Sequence, residues 1–371
     1  MFGTILLSLA AMMTGYVFWR LGGVPWLGHF SWPLRLGLGL LSWLLIWLGR
    51  EYGHGRADGW ASSIELVGMN LLVVIFLVFL LLLCADLLTG FGWLLPKLAP
   101  GLRGAALLSG LMLSALAMVQ GMRPPVVEDF EVTLPGLPQE LDGLVVVGVS
   151  DLHIGSQLNA TWLQARVEQL LALQPDLIVL LGDIFEGHGL QPEALLPVLR
   201  SLHAPCGVYA VPGNHEGYGN ETETLQLLRD AGINVLFNQW ETPVPGLVMA
   251  GVENLTFRPK SHLRAPVAKA LTNRPEGGTI LLSHSPLRTE EAAAMGVGLM
   301  LCGHTHAGQV WPFGYLVRLR YPLLEGRYEI DRMTAIVSRG AGTWGARMRL
   351  WKPGQILRIT LRARQAAAKA P

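Results

Sequence analysis

The run Leu66–Ala85, LVGMNLLVVIFLVFLLLLCA, carries no charged side chain. As a helix rising about 1.5 Å per residue it matches a hydrocarbon core of about 30 Å. A helix in a soluble core would show a polar stripe, and Asn70 by itself does not make one. A membrane-spanning helix is therefore the first constraint on the fold. Asp86 closes the run at an edge where its carboxylate is expected to reach water. Three further apolar runs flank it, Met1–Trp19, Leu36–Gly49 and Gly104–Val119, the last with Gly110, Ser114 and Ala115 suited to close helix contacts. Four spans are expected. The first run also has the length of a signal peptide, but more apolar spans follow it without a clear small-residue cleavage site.

Composition agrees with a chain partly hidden in lipid, since only 15% of residues are charged and the mean hydropathy is +0.39. A formal net charge of +1 gives no global field to recruit nucleic acid, and no long basic stretch supplies one locally. Cys84, Cys206 and Cys302 form no CxxC pair, which argues against a zinc ribbon or a disulfide framework. Cys302 is expected to be a small apolar residue of a buried strand. With four spans, Arg20, Arg35, Lys97 and Arg103 lie on one side, and Arg50, Arg56 and Arg123 on the side of the following domain. The positive-inside rule then puts that domain outside the cytoplasm, a result that one helix more or fewer reverses.

Arg123-Pro124-Pro125 ends the helical part, because proline removes a backbone donor and disfavours helix in the residue before it. The expected plan is a transmembrane region over 1–122, a linker and lead-in strand over 123–143, an α/β domain over 144–362 and an Ala-rich tail over 363–371. Within the domain, Leu144–Val149 is an apolar β-branched run that predicts a buried strand. Leu158, Trp162, Leu163, Val167, Leu170 and Leu171 recur at helical spacing up to Pro175. Strands at 177–181 and 207–211 alternate with helices at 192–202 and 222–231. Further strands are expected at 129–134, 247–251, 279–282, 298–301, 334–338 and 356–361. Such alternation builds a sheet buried on both faces.

Nearly every one of these strands ends in a residue able to bind metal. Asp151 and His153 follow the first, Asp183 the second, and Asn214 with His215 the third; His284 follows 279–282, and His304 with His306 follow 298–301. Ligands of open α/β sheets bind beyond the carboxyl ends of strands, where side chains distant in sequence converge. An isolated Asp-x-His is more often a surface turn, and a lone histidine more often a satisfied core residue. Recurrence at five strand ends outweighs those alternatives. Carboxylate, imidazole and carboxamide together suit manganese, iron or zinc. One carboxylate could bridge two such ions at about 3.5–4 Å, the separation that clamps attacking and leaving oxygens in phosphatases.

Ser150-Asp151-Leu152-His153, Gly182-Asp183, Gly213-Asn214-His215-Glu216, His284 and Gly303-His304-Thr305-His306-Ala307-Gly308-Gln309 resemble the five ordered motifs of calcineurin-like metallophosphoesterases over about residues 144–362. The later runs Trp311–Gly314 and Ser338–Gly345 resemble a membrane-associated bacterial branch of that superfamily, some members of which cleave the pyrophosphate of UDP-diacylglucosamine. The resemblance implies an α/β sandwich of metallophosphoesterase type behind the transmembrane bundle, located in a bacterial inner membrane. It implies two divalent ions, one held by Asp151, His153 and His306 and the other by Asn214, His284 and His304, with Asp183 bridging. A metal-bridged hydroxide would attack phosphorus, and His215 would serve as general acid or stabiliser of the leaving group. Glu216 would orient an imidazole or simply enter a helix. Glu186 stands where many relatives have Asp, and keeps the charge.

Trp311, Phe313, Tyr315, Arg318, Arg320, Tyr321, Arg347, Arg349 and Trp351 place aromatics and cations near the metal loops in sequence. Arginine pairs with phosphate oxygens and aromatic rings favour the bilayer interface, so Arg318 and Arg320 are candidate contacts to a lipid-linked phosphate substrate. The competing expectation is a non-catalytic membrane receptor or scaffold binding a phosphorylated ligand, which degenerate metal motifs would have favoured. A nuclease or a two-metal peptidase fits the ordered motifs less well.

Overall fold

The computed structural model describes residues 2–56, 59–186, 191–218, 220–256 and 265–364, so most of the Ala-rich tail lies outside the described residues. The chain divides into two compact units, Met1–Arg123 with Gly345–Trp351, and Pro124–Trp344 with Lys352–Pro371.

In the first unit the apolar runs form α1 (Phe2–Arg20), α2 (Trp32–Leu48), α3 (Gly59–Leu88) and α4 (Ala99–Met122). All four are long and apolar enough to cross a membrane. Prolines in the first turns of α2 and α4 lose nothing there, because those N–H groups have no intrahelical acceptor. Gly110 lets α4 approach α3 so closely that a Cβ on it would lie 2.9 Å from the Val78 Cα. Ser114 satisfies its hydroxyl on the Gly110 carbonyl at 2.7 Å. Ala115 is exposed, and Ala117 takes the buried place instead.

Asp86 corrects the expectation drawn from its position at the end of a run. It is fully buried, with Arg20 at 2.6 Å, Arg103 at 2.8 Å and the Tyr16 hydroxyl donating to it. The ends of α1 and α4 bring two guanidinium groups to the carboxylate, and that pairing replaces water. Gly345–Trp351 supplies a second surprise. Within this unit the Arg347 N–H donates to Asn70 Oδ1 at 2.9 Å, the Arg349 N–H to the Ala117 carbonyl at 2.9 Å, and the Trp351 N–H to Gln120 Oε1 at 2.8 Å. Asn70, the one polar residue of the apolar run, is thus a backbone acceptor. Arg349 is 1% exposed, which removes it from the cations expected to meet a substrate.

The second unit is numbered in chain order. Its strands are β1 (Val126–Thr133), β2 (Val145–Val149), β3 (Leu177–Leu180), β4 (Val208–Ala210), β5 (Asn234–Val235), β6 (Gln239–Val244), β7 (Leu247–Gly251), β8 (Gly278–Leu282), β9 (Leu299–Cys302), β10 (Gly326–Ile330), β11 (Met333–Val337) and β12 (Gln355–Arg362). Its helices are α5 (Ala160–Leu171), α6 (Pro192–Arg200), α7 (Glu221–Asp230), α8 (Pro266–Ala270), α9 (Thr289–Ala294) and α10 (Phe313–Arg320). Among the described residues there are two six-stranded sheets rather than one, ordered β1-β12-β2-β3-β4-β5 and β10-β11-β9-β8-β7-β6. The β2-β3-β4 and β7-β8-β9 pairings are parallel.

Strand alternation makes the layers. Leu177 and Val179 of β3 pack with Met249, Ile280 and Leu301 of the other sheet in a core between the two. Ile178 and Leu180 turn outward onto Leu163 and Val167 of α5 and Leu228 of α7. Leu281, Met300 and Ala335 of the second sheet face Val267 of α8 and Ala292 of α9. The result is an α/β sandwich of four layers, whose inner strands β3, β4, β7, β8, β9 and β11 are buried throughout because both of their faces are covered. Asn159 caps α5 by accepting the Trp162 N–H at 3.1 Å. Strands β5, β6 and β10 escape the sequence pattern because they are short or of mixed polarity.

Candidate metal centre

The loops behind β2, β3 and β4 in one sheet, and behind β8 and β9 in the other, carry every candidate ligand to one place. Asp151, His153 and His306 form one group able to hold an ion, and Asp183, His284 and His304 another. In the first, His153 Nε2 is 3.1 Å from His306 Nε2, which is 3.3 Å from Asp151 Oδ1. In the second, His284 Nε2 lies 3.1 Å from His304 Nδ1, 3.2 Å from Asn214 Oδ1 and 3.1 Å from Asp183 Oδ2. That same Asp183 oxygen is 3.9 Å from His153 Nε2, so it faces both groups.

The backbone is bent to achieve this. Asp151, His153, Asp183, His304 and His306 all have φ between 48° and 75°, a left-handed conformation that non-glycine residues adopt only when their surroundings impose it. Gly182 shares that conformation at φ 80°, and a Cβ on it would lie 2.8 Å from His284 Nδ1. Gly213 is needed for room rather than for φ, since a Cβ there would overlap the Asp183 carboxylate.

Outer contacts aim the imidazoles. His153 Nδ1 is 2.6 Å from Glu186 Oε2, His284 Nδ1 is 2.8 Å from the Leu181 carbonyl, and His304 Nε2 is 2.9 Å from the Tyr321 hydroxyl. Each bond leaves the opposite ring nitrogen pointing into the cluster. Glu216 orients no imidazole. Its carboxylate accepts the N–H groups of Asp183 at 3.0 Å, Ile184 at 2.8 Å, Phe185 at 3.0 Å and Gly213 at 2.6 Å, tying two of the loops together. His215 is buried, donates its backbone N–H to Asp183 Oδ1 at 2.8 Å, and sets its ring against His153 with centroids 4.6 Å apart.

Charge in the cluster is strongly coupled. Burial raises Asp151 and Asp183, but His306 and His284 outweigh it and hold both below the usual carboxylate range. Burial opposes a charged ring at His284 and His153, yet Asp183 raises the first to about 10 and Glu186 the second to about 9. His304, half-buried and beside His284, is lowered to about 3, first by desolvation and then by the charge on His284. His215 is lowered, mainly by burial. Two pairs of imidazole nitrogens facing one another at 3.1 Å, ringed by carboxylates, are a donor set suited to divalent cations, because a cation satisfies lone pairs that would otherwise share protons.

Arg318 and Arg320 are not drawn into this cluster. Both are exposed on α10, where the Arg320 guanidinium lies 5.3 Å from the centre of the Tyr321 ring. Sequence reasoning missed the roles of Tyr321 and Glu216. Tyr321 was visible only as one aromatic among several, and Glu216 acts on backbone groups that carry no residue signature.

Residues 144–308 match the calcineurin-like phosphoesterase family. An uncharacterised metallophosphoesterase of Aquifex aeolicus is 31% identical over 249 residues, covering 64% of this chain and 92% of its own length. The chain belongs to the calcineurin-like metallophosphoesterase family. A transmembrane protein with metallophosphoesterase domain from Danio rerio is 32% identical over 273 residues, 69% of this chain and 62% of that protein. An uncharacterised metallophosphoesterase of Helicobacter pylori is 31% identical over 245 residues, 65% of each chain. This metallophosphoesterase therefore spans a little under two thirds of the length of the last two relatives.

Proposed function

We propose that this metallophosphoesterase is a membrane-anchored two-metal hydrolase that cleaves a phosphodiester or pyrophosphate bond of a lipid-linked substrate. The observation that carries the reading is the Asp183 carboxylate, whose Oδ2 faces His284 at 3.1 Å and His153 at 3.9 Å and so joins the two ligand groups. Asp151, His153 and His306 would hold one ion, Asn214, His284 and His304 the second, and Asp183 both. When bound, such a pair of ions supplies Lewis-acid stabilisation of the phosphoryl oxygens and an activated water. His215 lies beside both groups; burial lowers its pKa, while Asp183 and Glu186 act to raise it. Its Nδ1 is 3.6 Å from Glu186 Oε1, a carboxylate that would stabilise the protonated ring from which Nε2 would pass a proton to the leaving oxygen, leaving neutral imidazole.

The lipid link rests on α10 and its lead-in. Trp311, Phe313, Tyr315, Leu316 and Leu319 are all exposed, alongside Arg318 and Arg320 and without an acidic residue on the helix. Apolar side chains mixed with arginines suit an amphiphile with a phosphate headgroup. UDP-diacylglucosamine is one such compound. The charge rule adds the further proposal that the domain faces away from the cytoplasm in a bacterial inner membrane.

The test uses detergent-solubilised full-length protein. Hydrolysis of an aryl phosphodiester with manganese, abolished by chelator and restored by metal, is the expected result. A screen of lipid-linked against soluble phosphates on the same sample then locates the substrate. Bound metal without turnover of any compound would instead favour a receptor.

A further inference from the structure

Arginines outnumber carboxylates at one end of the helical unit, where α1 and α3 finish and α2 and α4 begin. Arg20 and Arg103 both bind the Asp86 carboxylate there, one on each oxygen, and the Tyr16 hydroxyl that also reaches it adds no charge. Arg35 comes to the same place from α2. Its Nη1 lies 3.5 Å from the Trp19 carbonyl, and the ring of that tryptophan carries the Arg20 guanidinium at 3.9 Å. Two adjacent glycines make room for the group: a Cβ on Gly22 would overlap Arg35 Nη1, and one on Gly23 would lie 2.8 Å from Arg103 Nη1. Three guanidinium groups therefore gather on the segment Trp19–Gly23, and Asp86 is the one carboxylate paired with them among the described residues.

Positive charge is left over. Arg35 pairs with no acid among the described residues, and its buried Nε has no hydrogen-bond partner there. A buried cationic donor left unsatisfied is costly and points to a ligand from outside the chain. The side chains of Arg20 and Arg103 keep 11% and 10% of their surface, so the cluster reaches the exterior. Trp19, Trp32 and Trp93 are exposed at this same end, as tryptophans are at the level of lipid headgroups. We propose that Arg20, Arg35 and Arg103 form a binding site for the phosphate headgroup of an anionic lipid. The phosphate supplies the acceptors that Arg35 lacks and the negative charge that Asp86 alone does not provide, while the acyl chains lie along apolar helix faces. The site draws on the helical unit alone and shares no residue with the candidate metal centre.

The test measures binding on full-length protein in neutral detergent, with chelator present so that no ester is consumed. The probes are dioctanoyl phosphatidic acid, dioctanoyl phosphatidylcholine and inorganic phosphate, titrated calorimetrically. Phosphatidic acid should bind more tightly than phosphatidylcholine, and less tightly as salt is raised. Arg35→Gln should weaken it about fivefold, the usual weight of one arginine at an anionic membrane surface, and Arg35→Lys, which keeps the charge, should lose less. Arg35 is the position to vary because Arg20 and Arg103 also neutralise Asp86, and removing either would strand a buried carboxylate. Asp183→Asn, which disables the metal centre, should leave the lipid affinity unchanged. Equal affinity for the two lipids, or affinity for phosphatidic acid that Arg35→Gln leaves intact, would overturn the site. So would loss of that affinity in Asp183→Asn, which would move the lipid to the metal centre. Inorganic phosphate binding as tightly as phosphatidic acid would overturn the lipid assignment in favour of a soluble anion. Hydrolysis without this lipid binding would defeat the present proposal alone, and lipid binding without hydrolysis of any ester would defeat the phosphoesterase reading alone.

Discussion

The carboxylate of Glu216 accepts four backbone N–H groups, and through them it fixes the turn that carries Asp183 against the loop that carries Asn214 and His215. A glutamine would point an NH₂ group at those donors. Glu216→Gln is therefore expected to lower stability by about 1–3 kcal/mol, and an unchanged denaturation midpoint would show that the four bonds carry no net weight. Tyr321 acts on a candidate ligand from outside, through His304 Nε2. Tyr321→Phe should weaken metal affinity about 10- to 100-fold with the fold intact, as read by chelator competition. Asp183 and His215 separate binding from chemistry. Asp183→Asn should lose metal and turnover together, and His215→Ala should keep metal while losing about 10²- to 10⁴-fold in rate. Full turnover by purified Asp183→Asn would refute the bridging assignment. These residues differ in how openly the sequence displays them: Asp183 follows a strand beside a glycine, whereas the acceptors and donors of Glu216 and Tyr321 are set by loop paths that no residue pattern encodes.

Helix α10 is an element whose surface and placement point to different tasks. Its first turn lies against the metal loop, where a Cβ on Gly308 would overlap Gly314, and just past its end Tyr321 returns to His304. Between those anchors it buries none of its residues. The double variant Arg318→Glu with Arg320→Glu should slow cleavage of a lipid-linked phosphate relative to a soluble one, because like charge repels the headgroup. Equal relative rates would remove the helix from substrate recognition. The segment Gly345–Trp351 makes the opposite point. Its sequence, rich in arginine and ending in tryptophan, resembles a surface for phosphate, but its backbone is spent on Asn70, Ala117 and Gln120, and Arg349 is buried. Burial of an individual side chain depends on which element covers it, and composition alone does not supply that.

Across the whole molecule the proton competes with the metal. In the metal-free protein carboxylates hold His284 protonated up to about 10 and His153 up to about 9, so a cation must displace those protons. Manganese affinity is expected to fall steadily as pH is lowered below about 9, measured by titration at fixed ionic strength; a flat profile from pH 6 to 9 would contradict this. What the amino-acid order determined is everything that rests on local periodicity: four apolar helices of membrane length, buried strands with apolar residues on both faces, and metal-competent side chains at the ends of five of them. Tertiary structure alone decided that those strands divide between two sheets, that Asp86 is neutralised by Arg20 and Arg103 instead of water, and that five candidate ligands adopt left-handed backbone. The physical reason is range. Hydrophobic pattern and strand-end chemistry act over a few residues, but the choice of sheet partner, the burial of a charge and a positive φ are settled by contacts between segments far apart in the chain.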